Sequence, residues 1–73
     1  MYSNLKSIVL SLAESKGIEV TETRQKRIRD VERDLDSGKI TPEQTIEKLR
    51  AEFRYEFSSE NYSSIRKSIV RKS

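Results

Sequence analysis

A chain of 73 residues with no cysteine, no histidine and a net charge of +3 is one small domain with few routes to chemistry. The missing residue types exclude disulfides, zinc–thiolate sites and a thiol nucleophile, and they remove the commonest metal ligand and general base. Leu, Ile, Val and Phe make 18 residues, about a quarter of the sequence and just above the level typical of disorder. A folded but thinly stabilised protein is therefore expected, one completed by a partner or a second copy.

The first predicted helix covers about residues 4–16, where Leu5, Ile8, Val9 and Leu12 recur at i, i+3, i+4 and i+7. Ser3 or Asn4 is its candidate cap and Gly17 its end. The apolar cluster Ile8-Val9-Leu10 with Leu12-Ala13 is far too short to span a bilayer. Met1-Tyr2-Ser3-Asn4 lacks the charged start of a signal peptide, so a cytoplasmic protein is the expectation. Ile18 to Thr21 alternates too briefly for more than an extended linker, and Thr21 or Thr23 offers the next N-cap.

The second predicted helix, residues 22–37, has one narrow apolar face of Ile28, Val31 and Leu35 and is otherwise almost wholly charged. Such a helix gains little from its own sequence and needs its stripe buried. Asp36 to Gln44 then stops it and starts another. Gly38 suits a left-handed helix end, Thr41 an N-cap, Pro42 the first helical position, and Gln44 the far side of a capping box. A helical hairpin follows from these residues alone.

The third predicted helix, about residues 42–57, carries Ile46, Leu49, Phe53 and Phe57 at i, i+3, i+7 and i+11, the strongest face in the chain. Continued as one helix, it would swing Ile65 and Ile69 well off the Phe53/Phe57 stripe. A kink or a new helix over about residues 60–71, capped by Ser58 or Ser59, is expected instead, with Tyr62, Ile65 and Ile69 on one side. The fold class is all-α: a single domain holding a small three-helix bundle built round the hairpin, with a short fourth C-terminal segment.

Two surfaces stand out. The excess of positive charge sits at the C-terminal end, where Arg66, Lys67, Arg71 and Lys72 surround Tyr62 and Ile65. These cations can grip phosphates or an acidic partner, or simply form a solvated helix end that complements the dipole. The other basic run, Arg24 to Arg29, is answered by acids downstream, and cations at a helix start oppose the dipole; fraying, or support from a neighbour, is expected there. A helix-turn-helix reading of residues 5–20 and the helix after them, with Arg24, Lys26 and Arg27 facing a groove, meets an extended linker where a tight turn is required. Phe53 and Phe57 read as core, whereas Tyr55 lies off their stripe and suits a partner contact. Carboxylates are spread among basic neighbours with no metal or nucleophile spacing, so neither catalysis, metal nor cofactor is expected.

The layout from Ser11 to about Arg54 resembles the small helical antitoxins that block Fic-domain toxins. The matching residues are Gly17-Ile18-Glu19-Val20-Thr21, a hydrophobic-x-hydrophobic-Thr linker after a glycine-ended helix, and the Gly38-Lys39-Ile40-Thr41 hinge. The resemblance implies a helical protein that inhibits a partner. The family's inhibitory motif, Ser/Thr-x-x-x-Glu-Gly/Asn, is not matched: aligned on Gly17, its glutamate position is Lys16 and its Ser/Thr position is Leu12. Separately, Lys48 to Val70 is similar to the end of a family of small bacterial helical-hairpin proteins without assigned function.

The function expected is that of a non-enzymatic regulator, an inhibitor, antitoxin or phage- or plasmid-type protein, that binds another protein through helix faces. Leu10, Tyr55 and Tyr62 are the candidate partner contacts. The alternative is a nucleic-acid-binding regulator working through Arg66, Lys67, Arg71 and Lys72. A second copy of the chain is a further candidate partner; a membrane is not.

Overall fold

The two corners that bracket the third helix set the architecture. The structure, a computed structural model, describes residues 4–70. These form α1 (Leu5–Ser15), α2 (Glu22–Ser37), α3 (Pro42–Phe53) and α4 (Ser59–Val70), with a 3-10 turn at Arg54–Glu56 and no strand among the described residues. Each helix packs on the next, and α4 returns to pack on α1, so the four close a ring. The fourth helix is thus not the short appendage expected from the sequence. It matches α3 at 12 residues and supplies Tyr62, Ile65 and Ile69 to the core.

Local chemistry starts and stops most of these helices. At Gly17 and Gly38 the backbone turns left-handed, with φ of 74° and 86°. Ile18 N–H then bonds Ala13 O, and Lys39 N–H bonds Asp34 O, both at 2.9 Å, which satisfies carbonyls left open at the helix ends. Thr21 caps α2 by accepting from Arg24 N–H at 3.3 Å. Thr41 caps α3 in a full capping box: its Oγ1 accepts from Gln44 N–H, and Gln44 Oε1 accepts from Thr41 N–H. Each such cap is worth about 1 kcal/mol. Ser58 and Asn61 make the equivalent reciprocal pair at the start of α4.

The first helix is the exception. Asn4 occupies its N-cap in a left-handed conformation and its side chain makes no capping bond. Glu32 reaches across from α2 instead and accepts from Lys6 N–H at 3.1 Å. An acid there also meets the positive end of the α1 dipole.

The core is uneven. Leu5, Val9 and Ala13 of α1, Ile46, Leu49 and Phe53 of α3, and the three α4 residues are buried, with Phe57 beside them. From α2 only Ile28 is fully buried, while Val31 and Leu35 pack half-buried against the cluster. Thr45 is also fully buried, its hydroxyl donating to Thr41 O at 2.9 Å. That bond is what lets a polar side chain sit in the core without penalty. No helix among the described residues is long and apolar enough to cross a membrane.

Candidate functional site

The third helix ends at Phe53 rather than running on to Phe57, and the corner that follows displays the most exposed large hydrophobic side chain among the described residues. Arg54 closes α3 at φ 49°, ψ −116°, a conformation that suits glycine and strains an arginine. The 3-10 turn follows, and Phe57 then goes extended at φ −111°, ψ 145°. Behind the corner the Phe53 and Phe57 rings stack at 4.4 Å between centroids, and Tyr62 meets Phe57 edge-on at 5.7 Å. On its outside Tyr55 is 98% exposed.

Side chains from two other helices pin this corner. From α2, Arg24 donates through Nη2 to Glu56 at 2.6 Å and through Nε to Glu52 at 3.1 Å, and its guanidinium lies 4.9 Å over the Phe53 ring. Arg27 adds a 3.0 Å pair to the other oxygen of Glu52. The hydrogen bond that Arg24 donates to Glu56, helped by the charges of both glutamates and opposed by burial, raises the affinity of Arg24 for its proton. From α4, Tyr62 Oη donates to Arg54 O at 3.0 Å. These contacts meet at a corner in which no residue from Arg54 to Phe57 is a conventional turn former.

Tyr62 lies inside the protein, not on its surface as a partner contact requires. It is 3% exposed, because its i, i+3 and i+7 relation to Ile65 and Ile69 puts it on the buried face of α4. Arg50 sits 4.8 Å over its ring. Burial pushes the phenol above the usual tyrosine range, with the Arg50 charge opposing and Glu56 adding to the rise.

Leu10 is half-buried and lies off the Leu5, Val9 and Ala13 face of α1. It does not share a surface feature with Tyr55 that any contact in the structure marks. Of the C-terminal cations, Arg66 is engaged by Glu43 at 2.5 Å across α3 and α4. That bond, with the Arg66 charge, holds the Glu43 carboxyl below its ordinary range. Lys67 is exposed. Arg71 and Lys72 lie outside the described residues.

Sequence reasoning missed Glu52, Glu56 and Arg54, and took Arg24 only as the start of a basic run that needs a neighbour. Glu52 and Glu56 are four apart and legible as one acidic face. Nothing in the chain marks Arg24, 28 residues from Glu52, as its partner. A shallow cleft of about 280 Å³ between α2 and α3 is floored by Ile28, Val31 and Leu49, with Asp30, Asp34 and Lys48 at its rim. Its charges are mixed, and no group of three or more His, Asp or Glu side chains among the described residues is placed to hold a metal ion. In comparisons with known proteins, no protein-family model matches the chain, and no curated protein or solved structure matches it.

Proposed function

We propose that this chain is a small non-enzymatic regulatory protein that acts by binding another protein, with Tyr55 as its anchor. The observation that carries the reading is a fully exposed tyrosine on a corner contacted from α2 and from α4. Tyrosine has only two side-chain torsions to freeze when it enters a partner's pocket, and it is enriched among residues that dominate binding energy. Arg24 engages Glu56, which leaves Arg54, exposed and adjacent in the chain, as the charge beside Tyr55. The partner that fits is an apolar pocket with an acidic rim. Leu10 on α1 marks a second, more peripheral contact.

Inhibitors and antitoxins are the members of this class that the helix order resembles. Lys16 and Leu12 stand where their inhibitory motif needs a glutamate and a Ser/Thr, so the proposed mode is docking at the corner rather than delivery of a glutamate to a toxin arginine. The test is capture of a partner from the source cell by the native chain and by Tyr55→Glu, each at low and moderate salt. A partner retained at moderate salt by the native chain and lost by Tyr55→Glu is the expected result. Capture of nucleic acid, weakening steeply with salt and abolished by removing the charges of Arg66, Lys67, Arg71 and Lys72, would replace this reading with the nucleic-acid one.

A further inference from the structure

We propose that the α3–α4 corner is a hinge through which two copies of this chain exchange their fourth helices. Residues 43–70 contain neither glycine nor proline, so beyond the Ser58 cap no residue in this stretch forces a turn. The turn is made instead by Arg54, a non-glycine residue at φ 49°, and by Phe57 in extended backbone. Return of these residues to helical angles joins α3 and α4 into one helix and relieves the strain at Arg54. Short hinges under strain favour such exchange.

The contacts around the corner divide into two groups. The Arg24 bonds to Glu52 and Glu56, and the Phe53–Phe57 ring stack, join positions four apart. Residues four apart are neighbours on a continuous helix, so straightening preserves both. The Tyr62 bond to Arg54 O, the edge contact of Tyr62 with Phe57 and the Ser58/Asn61 cap need the turn within one chain. Straightening also rotates Tyr62, Ile65 and Ile69 away from the Phe53 side and off their own bundle. The place they vacate, against α1 and α3 of a second copy, is complementary to them because it is the same contact that each chain makes with itself. Reciprocal exchange closes a two-fold dimer with no open end. This inference does not rest on Tyr55 binding a partner, and Tyr55→Glu leaves the exchange in place.

The chain has no cysteine, so Glu43→Cys with Arg66→Cys introduces two thiols where α3 meets α4. The protein is refolded over a range of concentrations up to its solubility limit, fractionated by size, and bridged with a short bismaleimide. The expected result is a dimer that grows with concentration and runs as a covalent dimer on a denaturing gel, while the monomer fraction is bridged within one chain. Arg54→Gly, which removes the strain, lowers the dimer fraction by about tenfold. Tyr62→Phe, which removes a bond that only the turn needs, raises it. A chain that stays monomeric throughout, a dimer bridged only within single chains, or a dimer fraction indifferent to Arg54→Gly overturns the proposal.

Discussion

The corner between α2 and α3 and the corner between α3 and α4 both fold the chain back on itself, by opposite means. At the first, Gly38 takes the left-handed conformation, with open space around the position of a Cβ. Thr41, Pro42 and Gln44 then start the next helix with bonds made within four residues of one another. At the second, an arginine takes a glycine's conformation, and Tyr62 holds the turn from eight residues after it. A corner encoded locally survives without its surroundings. One held by a side chain of the returning helix lasts only while that helix is docked, which is why it can serve as a hinge.

The largest expected effect falls on the second corner. Phe53→Ala removes the ring beneath both Arg24 and Phe57 and leaves a cavity, at a cost of about 3–5 kcal/mol. In a domain of this size that loss unfolds much of the population at room temperature, as circular dichroism against urea will register. At the first corner Gly38→Ala meets no steric clash but must hold a left-handed backbone, and loses about 1–2 kcal/mol. Thr41→Ala removes half of the capping box and costs about 1 kcal/mol.

Arg54→Gly reverses the sign. Glycine accepts φ 49° freely, and the arginine side chain is exposed, so the closed fold gains up to about 1 kcal/mol. The same urea titration shows it. If Gly38→Ala and Arg54→Gly shift stability in the same direction, the contrast between the corners is wrong.

The smallest effects are titrations. Glu43 has a folded pKa below its unfolded one. Its contribution is therefore present above the ordinary carboxylate range and fades as pH falls through the folded value. Arg66→Gln should move the Glu43 carboxyl midpoint upward, toward the ordinary range, in an NMR titration, with the hydrogen bond from its own backbone N–H keeping part of the depression. Tyr62 behaves in the opposite sense. Its folded pKa is raised, so its contribution is intact below the ordinary tyrosine value and is lost as pH climbs through the folded one. Absorbance at high pH should show Tyr62 ionising above the ordinary tyrosine range.

Legibility in the sequence follows the range of the interactions. Gly17, Thr21, Gly38 and the Thr41/Gln44 pair were readable because each acts on backbone groups within five residues. The faces of α1 and α3 were readable because a 3.6-residue period needs no partner to be seen. Tyr62 was placed on the right stripe beside Ile65 and Ile69, yet offered as a surface residue. Its hydroxyl finds an acceptor, Arg54 O, that comes into reach only once α4 folds back. The basic run at Arg24 was expected to fray or to be held by a neighbour; the neighbour is the acidic pair on α3 and the turn beyond it.

By itself the sequence determined an all-helical chain, the hairpin at Gly38 to Gln44 and the inequality of the stripes on α2 and α3, because capping and periodicity are local properties of the backbone. Only the tertiary structure decided where α3 stops, that Glu32 caps α1, that α4 closes the ring, and that Tyr55 alone among the tyrosines of the described residues faces water. Each of those outcomes depends on groups that are distant in the chain and meet only after collapse. Ser58 announced a break before α4 and caps it with Asn61, but the turn at Arg54 opposes the local preference of its own residue, so its position had no local signal.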